Sequence, residues 1–93
     1  MLRLLDSYVL WALGKLEPEN AETLRKLEPG LEKTFNAQGS WQEIISKVMD
    51  MPADMPDLIR QTWQENLEIA ENESIELTPE SFSQMFVDAN FSD

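Results

Sequence analysis

Apolar residues in this chain recur three and four positions apart, and that spacing confines most of it to helices. Leu2, Leu5, Val9, Ala12, Leu13 and Leu16 share one face of a helix predicted over residues 2 to 16, and Leu4, Tyr8 and Trp11 form a second strip beside it. An apolar arc that wide suits a helix touched on two sides, either both within the monomer or one of them by a partner. No segment offers the β-branched strands and Asn-Gly turns of a hairpin, and Ile75-Glu76-Leu77 is too short to count as a sheet.

Prolines, glycines and capping residues divide the chain into segments. Pro18 is expected to end the first helix, and Asn20 to cap a second carrying Leu24 and Leu27, which stops before Pro29-Gly30. Leu31 and Phe35 continue that stripe, so residues 20 to 37 read as one kinked helix or two short ones. The segment Lys-Leu-Glu-Pro occurs at 15 to 18 and again at 26 to 29, and reads as two similar helix ends.

After the loop Asn36-Ala37-Gln38-Gly39, Ser40 and Glu43 form a capping-box pattern opening a third helix with Trp41, Ile44, Ile45 and Val48 inward, extended by Met49. Pro52 and Pro56 bracket a turn, with Asp54 capping a fourth helix that runs to about residue 72 and turns Ile59, Trp63, Leu67 and Ala70 inward. Glu71-Asn72-Glu73-Ser74 closes it. Thr78-Pro79-Glu80 opens a last helix with Phe82, Met85, Phe86 and Ala89 on one face, and residues 90 to 93 are expected to fray.

With 93 residues, 42% apolar and 27% charged, the composition is that of a globular domain. The expectation is an all-α, single helical domain over residues 1 to 93, a small bundle of four to five short helices. The starting Met and the complete helical layout point to a free-standing protein. Arg3, Asp6 and Lys15 interrupt the most apolar stretch, leaving neither a membrane span nor a secretory leader, so a cytoplasmic location is expected.

Residue types exclude much chemistry. Without Cys there is no thiolate nucleophile, thiolate metal ligand or disulfide, and without His no imidazole base. Glycine-rich phosphate loops and nucleophile elbows are missing as well. A carrier-protein serine would stand at a helix start in an Asp-Ser-Leu context, whereas Asp6-Ser7-Tyr8 falls inside the first predicted helix. Asp50, Asp54 and Asp57 have the look of metal ligands, but the sixth position from Asp50 is Met55 where a calcium loop needs Gly. Glu65 and Glu68 would serve as acid and base only in a cleft that a small bundle has little room for. Tyr8 and Lys15 read as structural, the latter as a cation at a helix C-terminus. No enzymatic activity, cofactor or metal is expected.

Charge supplies the functional signal. Eighteen acids against seven bases give −11, and all seven bases precede residue 61, while residues 61 to 93 hold eight acids. Direct binding to nucleic acid or to an anionic membrane is therefore disfavoured, and a basic protein surface is the natural partner.

Two surfaces are candidates for binding it. One is the acidic set Glu65, Glu68, Glu71, Glu73 and Glu76, which would steer association. The other is apolar: Leu4, Tyr8 and Trp11, or the Met-rich turn with Met49, Met51 and Met55. The leading expectation is a non-enzymatic protein-binding or regulatory module. The alternatives are an inhibitor or immunity-type protein that mimics nucleic-acid charge to block a basic enzyme or toxin, and a structural homodimer without ligand.

Overall fold

The computed structural model describes residues 3 to 91, and its chain is all-α, with five helices and no strand among the described residues. The helices are α1 (Leu4–Ala12), α2 (Pro18–Phe35), α3 (Trp41–Val48), α4 (Met55–Asn72) and α5 (Pro79–Phe91). They fall into two compact units, one of α1, α4 and α5 and the other of α2 and α3. Leu2 and the fraying expected of Ser92 and Asp93 lie outside the described residues.

In the three-helix unit α1 packs against both α5 and α4. Five consecutive residues from Asp6 to Leu10 are buried, as a helix flanked on two sides requires. Val9, Ile59 and Phe82, one from each helix, are fully shielded from solvent, and the edge of one ring meets the face of the other where Trp63 and Phe82 pack with centroids 5.3 Å apart. Phe82, Phe86 and Phe91 continue as a chain of ring contacts along α5.

Burial departs from the hydrophobic stripe in α1 and α5. Leu5, Leu13 and Leu16 are only half-buried, while Asp6, Ser7 and Ser83 are buried. Met85 and Ala89 are exposed, and Ser83 and Val87 take the inward positions instead. On α4 the predicted inward residues hold their places: Ile59 and Ala70 are buried and Trp63 and Leu67 half-buried.

The first helix is shorter than its apolar pattern because Gly14, at φ +71°, turns the chain left-handed. Its N–H reaches the Trp11 carbonyl at 3.0 Å and that of Lys15 reaches Leu10 at 2.8 Å, a Schellman end. Lys15 therefore lies beyond the helix, and the Arg60 guanidinium donates instead to the last helical carbonyl, that of Ala12, at 3.1 Å. The same left-handed exit recurs at Asn36, Asp50 and Ser74, each followed by a residue whose N–H bonds five positions back.

Pro18 begins α2 rather than ending α1, because its fixed φ suits a first helical position where no N–H is needed. Asn20 accordingly lies within the helix, and α2 continues unbroken through Pro29 to Phe35. The two Lys-Leu-Glu-Pro segments thus occupy a helix start and a helix interior, and are not two similar ends.

α2 packs against α3, and Leu24 on the former and Trp41, Ile44 and Ile45 on the latter are buried. Ser40 caps α3 by accepting the Glu43 N–H at 3.3 Å, and the Glu28 carboxylate accepts the Trp41 N–H at 3.2 Å. Two otherwise orphaned amides of that helix are thereby satisfied. Val48 and Met49, expected inward, are exposed.

Asp54 stands at the N-cap of α4 without a side-chain capping bond, and Pro56 lies in the first turn. At α5 the Thr78 hydroxyl accepts the Ser81 N–H at 3.1 Å while the Ser81 hydroxyl accepts the Thr78 N–H at 3.3 Å, a reciprocal cap. Asn90 and Phe91 are helical rather than frayed, the Asn90 amide donating to the Phe86 carbonyl.

Candidate functional site

The acidic residues singled out from the sequence lie on α4 and the segment after it. A helix advances roughly 100° per residue, so Leu58, Thr62, Glu65 and Ile69 project along one line within about 60° of arc. Gln61, Glu68 and Asn72 flank that line. Ile59, Trp63 and Ala70 occupy a different side of the cylinder and face the core of the three-helix unit.

Glu65, Glu68, Glu71, Glu73 and Glu76 are all exposed. The Gln61 amide donates to Glu65 at 3.3 Å, and no ion pair joins these five carboxylates to a Lys or Arg among the described residues. Their charge is consequently directed into solvent. Leu58 and Ile69, at 44% and 55% exposure, stand beside them.

The apolar candidates are dispersed in depth. Tyr8 and Met55 are buried, Leu4 and Met51 are half-buried, and Trp11 and Met49 are exposed. Tyr8 lies against Trp11 with ring centroids 5.6 Å apart, beneath the surface rather than on it. Neither the Leu4/Tyr8/Trp11 strip nor Met51 with Met55 forms a continuous exposed face, because the deeper side chains serve the interior.

A polar cluster that the apolar pattern did not reveal joins α1 to α5. The Asp6 carboxylate accepts from the Arg3 guanidinium at 2.5 and 3.2 Å and from the Ser83 hydroxyl at 3.1 Å, and Arg3 also donates to Asp88 at 3.0 Å. Hydrogen bonds to Asp6 first and Asp88 second raise the Arg3 guanidinium pKa further above its ordinary value. Ser7 donates to the Arg3 carbonyl, so it too is held inside the fold. No buried side-chain N or O among the described residues lacks a partner. The only sequence signal for this cluster was an Asp at the positive end of a helix, which reads equally as a dipole effect.

No group of three or more acidic residues among the described residues is arranged to hold a metal ion. Two concavities open to solvent lie along α2, one formed by Pro18, Ala21, Glu22, Arg25 and Lys26, and the other by Pro29, Glu32, Lys33, Asn36, Ala37 and Gln38. Both are surface hollows of a charged helix. None of the described helices is long and apolar enough to cross a membrane.

The chain matches no protein-family model, and neither a curated protein nor a solved structure matches it.

Proposed function

We propose that the chain is a non-enzymatic, cytoplasmic protein-binding module that recruits a partner with a basic surface through the outer side of α4 and the acidic segment after it. The observation that carries this reading is the exposure of Glu65, Glu68, Glu71, Glu73 and Glu76 in a stretch, residues 61 to 93, that holds no Lys or Arg. Uncompensated carboxylates along α4 and the segment after it steer a cationic surface over about a Debye length, roughly 8 Å at physiological ionic strength. Leu58 and Ile69 supply apolar surface within the same footprint, where steering is converted into residence.

The test is retention from a cell extract on the immobilised chain at low and at high salt. The retained protein is then purified and titrated against wild type and the Glu65→Lys, Glu68→Lys double variant. A basic protein whose affinity is lost on charge reversal is expected. Equal affinity for both chains would overturn the reading. Competition by DNA or RNA for the same partner would place the contact at that partner's nucleic-acid site.

A further inference from the structure

Resting on the protein-binding reading of the same helix, we infer that the line Leu58, Thr62, Glu65, Ile69 is a helix-docking seam whose occupant is a basic amphipathic helix of the partner. These four residues follow the i, i+4, i+7, i+11 spacing with which two helices interdigitate along a shared seam. Leu58 and Ile69 stand roughly 16 Å apart along the axis, three turns, which is the reach of a docked helix and too long for a single side chain to bridge.

α4 carries a second, separate apolar stripe, Ile59, Trp63 and Ala70, that satisfies the core of its own unit. The outer line is therefore surplus to folding. Thr62 is half-buried between the two stripes and returns its hydroxyl to the Leu58 carbonyl at 2.8 Å, so the seam offers no competing polar group at that point.

Charge decides among occupants. Glu65 lies within the seam and Glu68 beside it, both exposed, so a second copy would bring like charges together along the shared contact. Phosphate rows and anionic lipid are repelled for the same reason. A helix with apolar residues at seam positions and Lys or Arg at the flanks meets Leu58 and Ile69 with the former and Glu65 and Glu68 with the latter.

The probe is a synthetic peptide of about three heptads with Leu at the seam positions and Lys at the flanks, set against a scramble of identical composition. The chain has no Cys, so a single Gln64→Cys label off the seam reports binding by anisotropy. The patterned peptide should bind roughly tenfold tighter than the scramble, and the Leu58→Ser, Ile69→Ser double variant should lose that advantage with unchanged helical circular dichroism.

Equal binding of the two peptides, or an undiminished advantage in the double variant, would overturn the seam, as would failure of both peptides to bind. The protein-binding reading survives any of these if Glu65→Lys with Glu68→Lys still releases the cellular partner. It falls with the seam if charge reversal leaves that partner bound.

Discussion

The Ser83 hydroxyl donates to the Asp6 carboxylate across 3.1 Å, joining the last helix to the first although 77 residues separate them. Asp6 is 3% exposed and Ser83 1%, so their mutual bond, with the Arg3 fork, replaces the water each loses on folding. Asp6→Ala leaves one side of Arg3 unpaired and turns the Ser83 hydroxyl to the Glu80 carbonyl, 3.1 Å away, and should cost about 2–3 kcal/mol, while Ser83→Ala should cost about 1 kcal/mol. Urea unfolding of both singles and the double variant measures their coupling. Strict additivity would show that the pair does not act as a unit.

Proline 29 weakens the helix that contains it. It lies in the interior of α2, and a proline there has no N–H for the carbonyl four residues back, that of Arg25, and in a regular helix its ring would crowd that carbonyl. Because Pro29 is exposed, Pro29→Ala removes little packing and should stabilise the chain by about 1–3 kcal/mol. Amide exchange across residues 25 to 33 should slow in parallel. A variant no more stable than wild type would mean that α2 already relieves the proline by bending.

Left-handed helix exits at non-glycine residues are a second reserve of stability. Ser74 at φ +56° and Asp50 at φ +51° end α4 and α3 in a conformation that a Cβ disfavours. Ser74→Gly and Asp50→Gly should each stabilise by about 0.5–1 kcal/mol, and Gly14→Ala should destabilise by about 1 kcal/mol, although open space surrounds the added methyl. Thermal unfolding of the three variants checks the signs. Gly39, at φ +128° with the Glu43 carboxylate lying over it, is less tolerant still.

Phe82 and Met85 share a face in the helical pattern but differ in depth. Phe82 is fully buried and touches the Trp63 and Phe86 rings, whereas Met85 is 48% exposed. Phe82→Ala should therefore cost about 3–4 kcal/mol, and Met85→Ala under about 0.5 kcal/mol. Comparable denaturant midpoints for the two would contradict this arrangement of α5.

Local chemistry made several of these elements legible in advance. The third and fifth helices were marked by Ser40 with Glu43 and by Thr78 with Pro79, short-range signals that act over a single turn and are indifferent to the rest of the fold. The inward stripe of α4 was readable for a similar reason: Ile59, Trp63 and Ala70 repeat at the helical period on a long, otherwise polar segment. That same period, read about a third of a turn away, locates Leu58 and Ile69, which the inward stripe had overshadowed.

Proline position was harder to read, since one residue type both starts and interrupts helices. Pro18 and Pro29 follow the same three residues, yet one opens α2 and the other lies within it, and the difference is whether a preceding turn exists to be crowded. Burial in α1 was hidden more completely. A helix packed on two sides buries whatever residues face its neighbours, and Asp6 and Ser7 are inside because Arg3 and Ser83 supply their hydrogen bonds.

From its sequence alone, this chain is committed to helices, to a non-thiol, non-imidazole surface chemistry and to a negative field concentrated after residue 60, because composition, charge and helical period are local or additive properties. Which apolar residues remain outside, Leu58, Ile69 and Trp11 among them, and which polar ones are taken inside, as Asp6 and Ser83 are, was decided only when the helices met. Burial belongs to the partner a side chain finds across the fold, and residues distant in sequence supply that partner.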